Sequence, residues 1–266
     1  MKDSRLIVVV AGALVVAALG CSGDSDKAGS TSAAKPAAPK ASETKAPPPV
    51  QDPSKLGTIT GRITFAGTPP APRAIRMDAD PFCANANRTG ATKKSVELGK
   101  DGGLRNVFVY VRSGIDGSAY ESPSDPAVLD QVRCGYVPGV IGLQVGQPLE
   151  IRNSDKTLHN VHAMPKESKG FNIGMPTKGM TSTRKFSAPE VLIRIKCDVH
   201  PWMETFVGVV DHPFYAVTHV SGAYSLAKLP PGDYEIEAVH PKLGSKSQTV
   251  SVGEGGKITV DFEFTG

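Results

Sequence analysis

An alternating stretch and an apolar one bracket the heptapeptide Cys197-Asp198-Val199-His200-Pro201-Trp202-Met203, and this constrains the chain more than any other feature. Val191–Lys196 alternates apolar and polar residues, so it reads as a strand that delivers Cys197 at its end. Phe206–Val210 reads as the returning strand, and Leu149–Arg152 as another that runs through an Asn-Ser-Asp turn towards His159. A Cys-x2-His pair alone would equally suit a buried core cysteine beside a loop histidine. Set between strands, with His159 arriving from a third, it becomes a thiolate, two imidazoles and a thioether that a β-sandwich can bring together. Cysteine and two histidines in a trigonal set with a weak axial methionine is a shell for copper. Zinc would want four strong ligands and gains little from a thioether.

His159-Asn160-Val161-His162, with Cys197, His200 and Met203 at their spacing, resembles the cupredoxin family and within it the amicyanin and plastocyanin group. The resemblance spans about 70 residues, from Val140 to Val210. It implies a Greek-key β-sandwich with one type 1 copper held by His159, Cys197, His200 and Met203. It places His162 outside the metal shell, and Asn160 and Asp198 beside it. Asp198 stands where the family usually has a small hydroxyl residue, which alters the hydrogen bonding that tunes a metal centre.

Lys2 and Arg5 precede a fourteen-residue apolar run, Leu6 to Leu19. That is the length of a signal-peptide core, whereas a membrane span needs about 20 residues. Ala18-Leu19-Gly20-Cys21 resembles a lipobox and implies cleavage after residue 20 and lipidation of Cys21; an ordinary secretory signal is the alternative. Residues 22 to 55 are rich in Ala, Ser, Lys and Pro without apolar periodicity, the composition of a disordered tether. The expected location is the bacterial cell envelope, lipid-anchored on the periplasmic face or at the cell surface.

Of four cysteines, Cys21 and Cys197 have expected roles, which leaves Cys83 and Cys134. An unassigned pair in an exported chain suggests a disulfide, with two buried thiols as the alternative. The formal net charge of +4 comes with no basic block or aromatic-basic interleaving, so no nucleic-acid partner is expected.

Elsewhere the apolar segments alternate between Gly, Pro, Asn and Asp turns, which predicts an all-β chain. Residues 66 to 105 lack clear periodicity. After Asp211, Gly222–Ala238 alternates on both sides of Pro230-Pro231-Gly232 and resembles the carboxypeptidase regulatory-like (transthyretin-like) sandwich over about 50 residues. The expected domains are residues 1–20 (signal), 21–55 (lipidated cysteine and tether), 56–210 (copper domain) and 211–266 (second sandwich). Residues 57–65 suit either sandwich.

Two functions compete. A one-electron carrier would dock a redox protein at His200, Pro201 and Trp202 through the small interface of a transient encounter. A copper storage or delivery protein would draw on Met164, Met175 and Met180 with His162, although methionines also fill gaps in loops. No nucleophile-base arrangement or small-molecule substrate site stands out, so the chain is not expected to be an enzyme.

Overall fold

The structure, a computed structural model, describes residues 52–266; the signal segment, Cys21 and most of the tether lie outside the described residues. The described part is almost entirely β, with one short α-helix, Pro81–Ala86. Pro53–Lys55, expected to belong to the tether, forms a 3-10 turn. Asp52 caps it by accepting from Ser54 N–H, and Lys55 pairs with Glu254.

Four sheets form two sandwiches. In the first, one sheet runs Phe171–Met175, His159–Ala163, Glu190–Lys196, Glu204–Val210, Val140–Gln144. It faces Thr181–Arg184, Leu149–Asn153, Ala127–Val132, Gly135–Val137. Period-2 alternation sends Leu129, Leu149, Ile151, Val161, Ile195 and Val207 into one dry core. Each such side chain contributes about 1.5–3 kcal/mol relative to exposure.

The second sandwich gathers strands from both ends of the chain. Gly57–Ala66 pairs antiparallel with Ala223–Leu229 and parallel with Lys257–Thr259 and Phe262–Thr265. The facing sheet runs Tyr215–Val217, Phe108–Ser113, Gly232–His240, Gly244–Val252. Strand pairing therefore does not follow a division at residues 210 and 211. Both Gly57–Ala66 and Phe108–Ser113 sit with the C-terminal strands, where Ile59, Ile63, Val109 and Val111 meet Tyr234, Ile236 and Phe264.

A smaller cluster joins the sandwiches: Phe108 is buried with Val140 and Val210. Gly208 and Gly142 leave the room for it. A Cβ on Gly208 would lie 2.6 Å from the Phe108 ring, and one on Gly142 2.5 Å from Tyr215.

Residues 73–93 of the segment without periodicity become a cap, while Val96 and Leu104 enter the core of the second sandwich. Arg73–Ile75 pairs with Ala91–Lys93, and between them the helix Pro81–Ala86 starts at Asp80, whose Oδ1 accepts from Cys83 N–H at 3.0 Å. Pro81 at the first helical position needs no hydrogen bond there, so Asp-Pro is a start signal. A Cys83–Cys134 disulfide fastens the helix to the first sandwich.

Candidate metal centre

The strands place the donors. Ile195 pairs with Ala163 and Lys196 with His162, so Cys197 leaves its strand alongside the start of the His159–Ala163 strand. The seven-residue loop is closed by its own backbone. Cys197 N–H donates to Met203 O at 3.2 Å, and Met203 N–H to His200 O at 2.9 Å. Alternation in His159–Ala163 buries His159, Val161 and Ala163 and turns Asn160 and His162 outward.

His159, Cys197 and His200 therefore converge as three buried donors whose ligand atoms all lie within 4.8 Å of one another. His159 Nδ1 and His200 Nδ1 are 3.0 Å apart, and Cys197 Sγ is 3.9 Å from His200 Nδ1. One thiolate and two imidazoles at these distances are a donor set that suits a copper ion. Met203 is buried at the end of the same loop. His162 lies on the other face of its strand, half-exposed and 3.0 Å from Asp198.

Backbone N–H groups hold the sulfur: Asn160 N donates to Sγ at 3.4 Å and His200 N at 3.3 Å. Burial disfavours a thiolate, but His159 and these amides outweigh it and bring the Cys197 pKa below its ordinary value. Asn160 adds a brace, its Oδ1 accepting from Asp198 N–H at 3.0 Å. The Asp198 carboxylate faces away from the sulfur, towards Lys196, His162 and Asn172.

Two carboxylates behind the histidines were not singled out by sequence reasoning. Asp155 accepts from His159 Nε2 at 2.9 Å, which orients the ring with Nδ1 towards the sulfur and His200. It also accepts from Arg133 N–H and Cys134 N–H, each at 2.7 Å. Those residues form a two-residue hairpin turn with φ of 52° and 58°, a conformation that costs non-glycine residues about 1–2 kcal/mol apiece. Two successive amides in that conformation make an anion-binding nest, which the carboxylate fills. Burial opposes a charged His159, yet Asp155 and Cys197 lift its pKa to about 9.

Asp80 does the same for His200. Its Oδ2 takes His200 Nε2 at 3.1 Å and the Thr157 hydroxyl at 2.7 Å, while Oδ1 caps the helix. Cys83 Sγ lies 3.6 Å from the same nitrogen. The His200 side chain is consequently only 3% exposed, so its outer edge does not form the contact patch expected from the sequence. The sequence signals for both residues are local turn chemistry, Asp-Pro at 80–81 and Asn-Ser-Asp at 153–155, and say nothing of the histidines they reach. The methionines of the copper-handling reading do not share an environment. Met175 is buried with its sulfur accepting from Gln131, whereas Met164 and Met180 are exposed.

No protein-family model and no curated protein matches the chain. Among solved structures, 32% of this chain is similar to part of the copper-containing nitrite reductase from Thermus scotoductus, with 20% identity and a TM-score of 0.30; the match spans 22% of that enzyme. A purple cupredoxin from Nitrosopumilus maritimus matches over 98% of its length and 31% of this chain, with 22% identity and a TM-score of 0.27. An amicyanin variant in its reduced state matches over 97% of its length and 38% of this chain, with 20% identity and a TM-score of 0.29. These likenesses are partial, and the chemistry that follows rests on the donor set.

Proposed function

We propose that the protein is a single-copper electron carrier, with His159, Cys197 and His200 as the strong ligands and Met203 as the weak axial one. The convergence of three buried donors, each held from behind by a hydrogen bond, carries this reading. Copper supplies the one-electron couple when bound. The chain's own contribution is rigidity: the backbone closes the ligand loop, two amides fix the sulfur, and two carboxylates fix the rings. A cage that does not move between oxidation states is what a carrier needs, because both states must accept one geometry.

Adding Cu(II) to the purified protein and recording the visible spectrum tests this. The expected result is an intense blue thiolate band at one equivalent, abolished by Cys197→Ala and kept in His162→Ala. Met203→Leu should keep the copper and raise the potential, since the axial ligand tunes it. Stoichiometric but colourless binding, as Cu(I) only, would instead favour storage or delivery.

We further propose that Cys21 is lipidated and anchors the domain to an envelope membrane through residues 22–55. Several acyl chains at about 0.8 kcal/mol per buried CH2 hold firmly. Cys21→Ala should release the protein into the soluble fraction. The second sandwich, which we read as carboxypeptidase regulatory-like, carries no constellation of catalytic residues in our reading and acts as a scaffold.

A further inference from the structure

Electron carriers need a short path from metal to surface, and here the direct one is shut. Asp80 and the disulfide sulfur of Cys83 cover Nε2 of His200, the imidazole edge facing away from the other two donors. The adjoining ring is not covered. Trp202 packs against His200 with ring centroids 5.1 Å apart, and its indole N–H is held by Cys134 O at 3.0 Å. Half-buried, Trp202 forms part of the wall of a cleft of about 590 Å³ between the cap and the ligand loop. Four cations, Arg73, Arg76, Lys93 and Lys242, line that cleft; Glu204 pairs with Lys93 and Lys242, and Asp78 pairs with Arg76, which still leaves an excess of positive charge.

We propose that electrons pass through the Trp202 ring rather than the His200 edge, to a redox protein that presents an acidic face to this cationic cleft. The inference rests on the electron-carrier reading above and names the port and the partner's charge. One electron moves per encounter, from the reduced centre to a one-electron acceptor, with no proton or bond exchanged. The excess of positive charge at the cleft steers an acidic surface towards the indole and repels a basic one.

Trp202 is the only tryptophan in the chain, so its fluorescence reports on the cleft even without metal. In metal-free protein at low ionic strength, anionic iodide should quench it several-fold more effectively than cationic caesium. Salt should close the gap, as should Arg73→Glu, whereas Lys257→Glu on the other sandwich should not. Equal quenching by the two ions, or a gap indifferent to Arg73→Glu, overturns the proposal whatever metal the site binds.

The copper-loaded protein is then reduced and mixed with a basic c-type cytochrome, or with the same cytochrome after succinylation has reversed its charge. The succinylated form should accept electrons about tenfold faster or more at low salt, the scale of electrostatic steering. Trp202→Leu with its blue band intact should slow transfer to both forms. Faster transfer to the basic cytochrome, or an unaffected rate in Trp202→Leu, refutes the port. A protein lacking the blue band altogether refutes the carrier reading beneath it, even where the quenching gap is present.

Discussion

Glu204, the first residue after the ligand loop, makes three ion pairs: Lys93 of the cap at 2.8 Å, Lys242 of the second sandwich at 3.1 Å and Arg194 of the adjacent strand at 3.2 Å. Its side chain is only 9% exposed. Burial would raise its pKa, but Lys93 and Lys242 overcome that and hold it at about 2, against an ordinary 4.5. At 1.36 kcal/mol per pKa unit the difference corresponds to about 3.4 kcal/mol. The three cations are 39–48% exposed, which screens the attraction, so about 2 kcal/mol is the working figure. A depressed folded-state pKa gives stability that is complete above the ordinary value and disappears as pH falls through the folded one. Glu204→Gln should therefore lose about 2 kcal/mol in urea unfolding at pH 7. The wild type should fall towards the variant between about pH 5 and pH 2, relative to the variant's own acid response. A stability gap that stays constant from pH 7 to pH 2.5 would refute the reasoning, because the loss would then come from packing. Persistence of the gap after Lys93 and Lys242 are both replaced by Met would point the same way.

Gly208→Ala puts a methyl group into the Phe108 ring and should cost about 1–3 kcal/mol by thermal or urea unfolding, while Phe108→Leu in the same chain should recover part of it. Reducing the Cys83–Cys134 disulfide, whose residues are 51 apart, should lower stability by about 4 kcal/mol in the chain-entropy model, read by unfolding with and without reductant. Asp155→Ala strips the acceptor from the buried Cys134 amide, the part-buried Arg133 amide and His159; a loss of about 3 kcal/mol in unfolding is expected, together with weaker copper binding by competition with a chelator. His240 is buried and its pKa is pushed down to about 4, so protonation from pH 6.5 downwards should progressively destabilise the fold, and His240→Gln should flatten that part of the pH profile.

What the sequence shows plainly here is whatever is local. The strand before the ligand loop alternates on its own, and Cys197, His200 and Met203 are separated by fixed spacings, so the all-β class and the loop's donors could be read directly, whereas the choice of His159 over His162 rested on the cupredoxin resemblance. The fates of Gly57–Ala66 and Phe108–Ser113 could not. An alternating strand says which face is buried but not which partner buries it, and both of these find theirs more than a hundred residues away. The seam between the sandwiches was equally silent, because its signal is a missing side chain at Gly208 opposite a distant Phe108.

The stretch from 66 to 105 shows why a functional segment can lack a pattern. Periodicity arises when one face of an element packs continuously against a core, whereas the cap contributes only scattered side chains such as Met77, Cys83 and Phe82 to one. A disulfide, a short helix start and a carboxylate that reaches His200 hold it over the centre. Two of the residues that hold it also have an ordinary local explanation: Asp80 as a helix cap, Cys83 as half of a disulfide. The same carboxylate performs both tasks, with Oδ1 starting the helix and Oδ2 fixing the imidazole. Loss of the helix start would therefore release the ring. The cap thus couples local folding to the geometry of the centre, and a substitution at Pro81, the first residue of the helix, should loosen His200 as well as the helix.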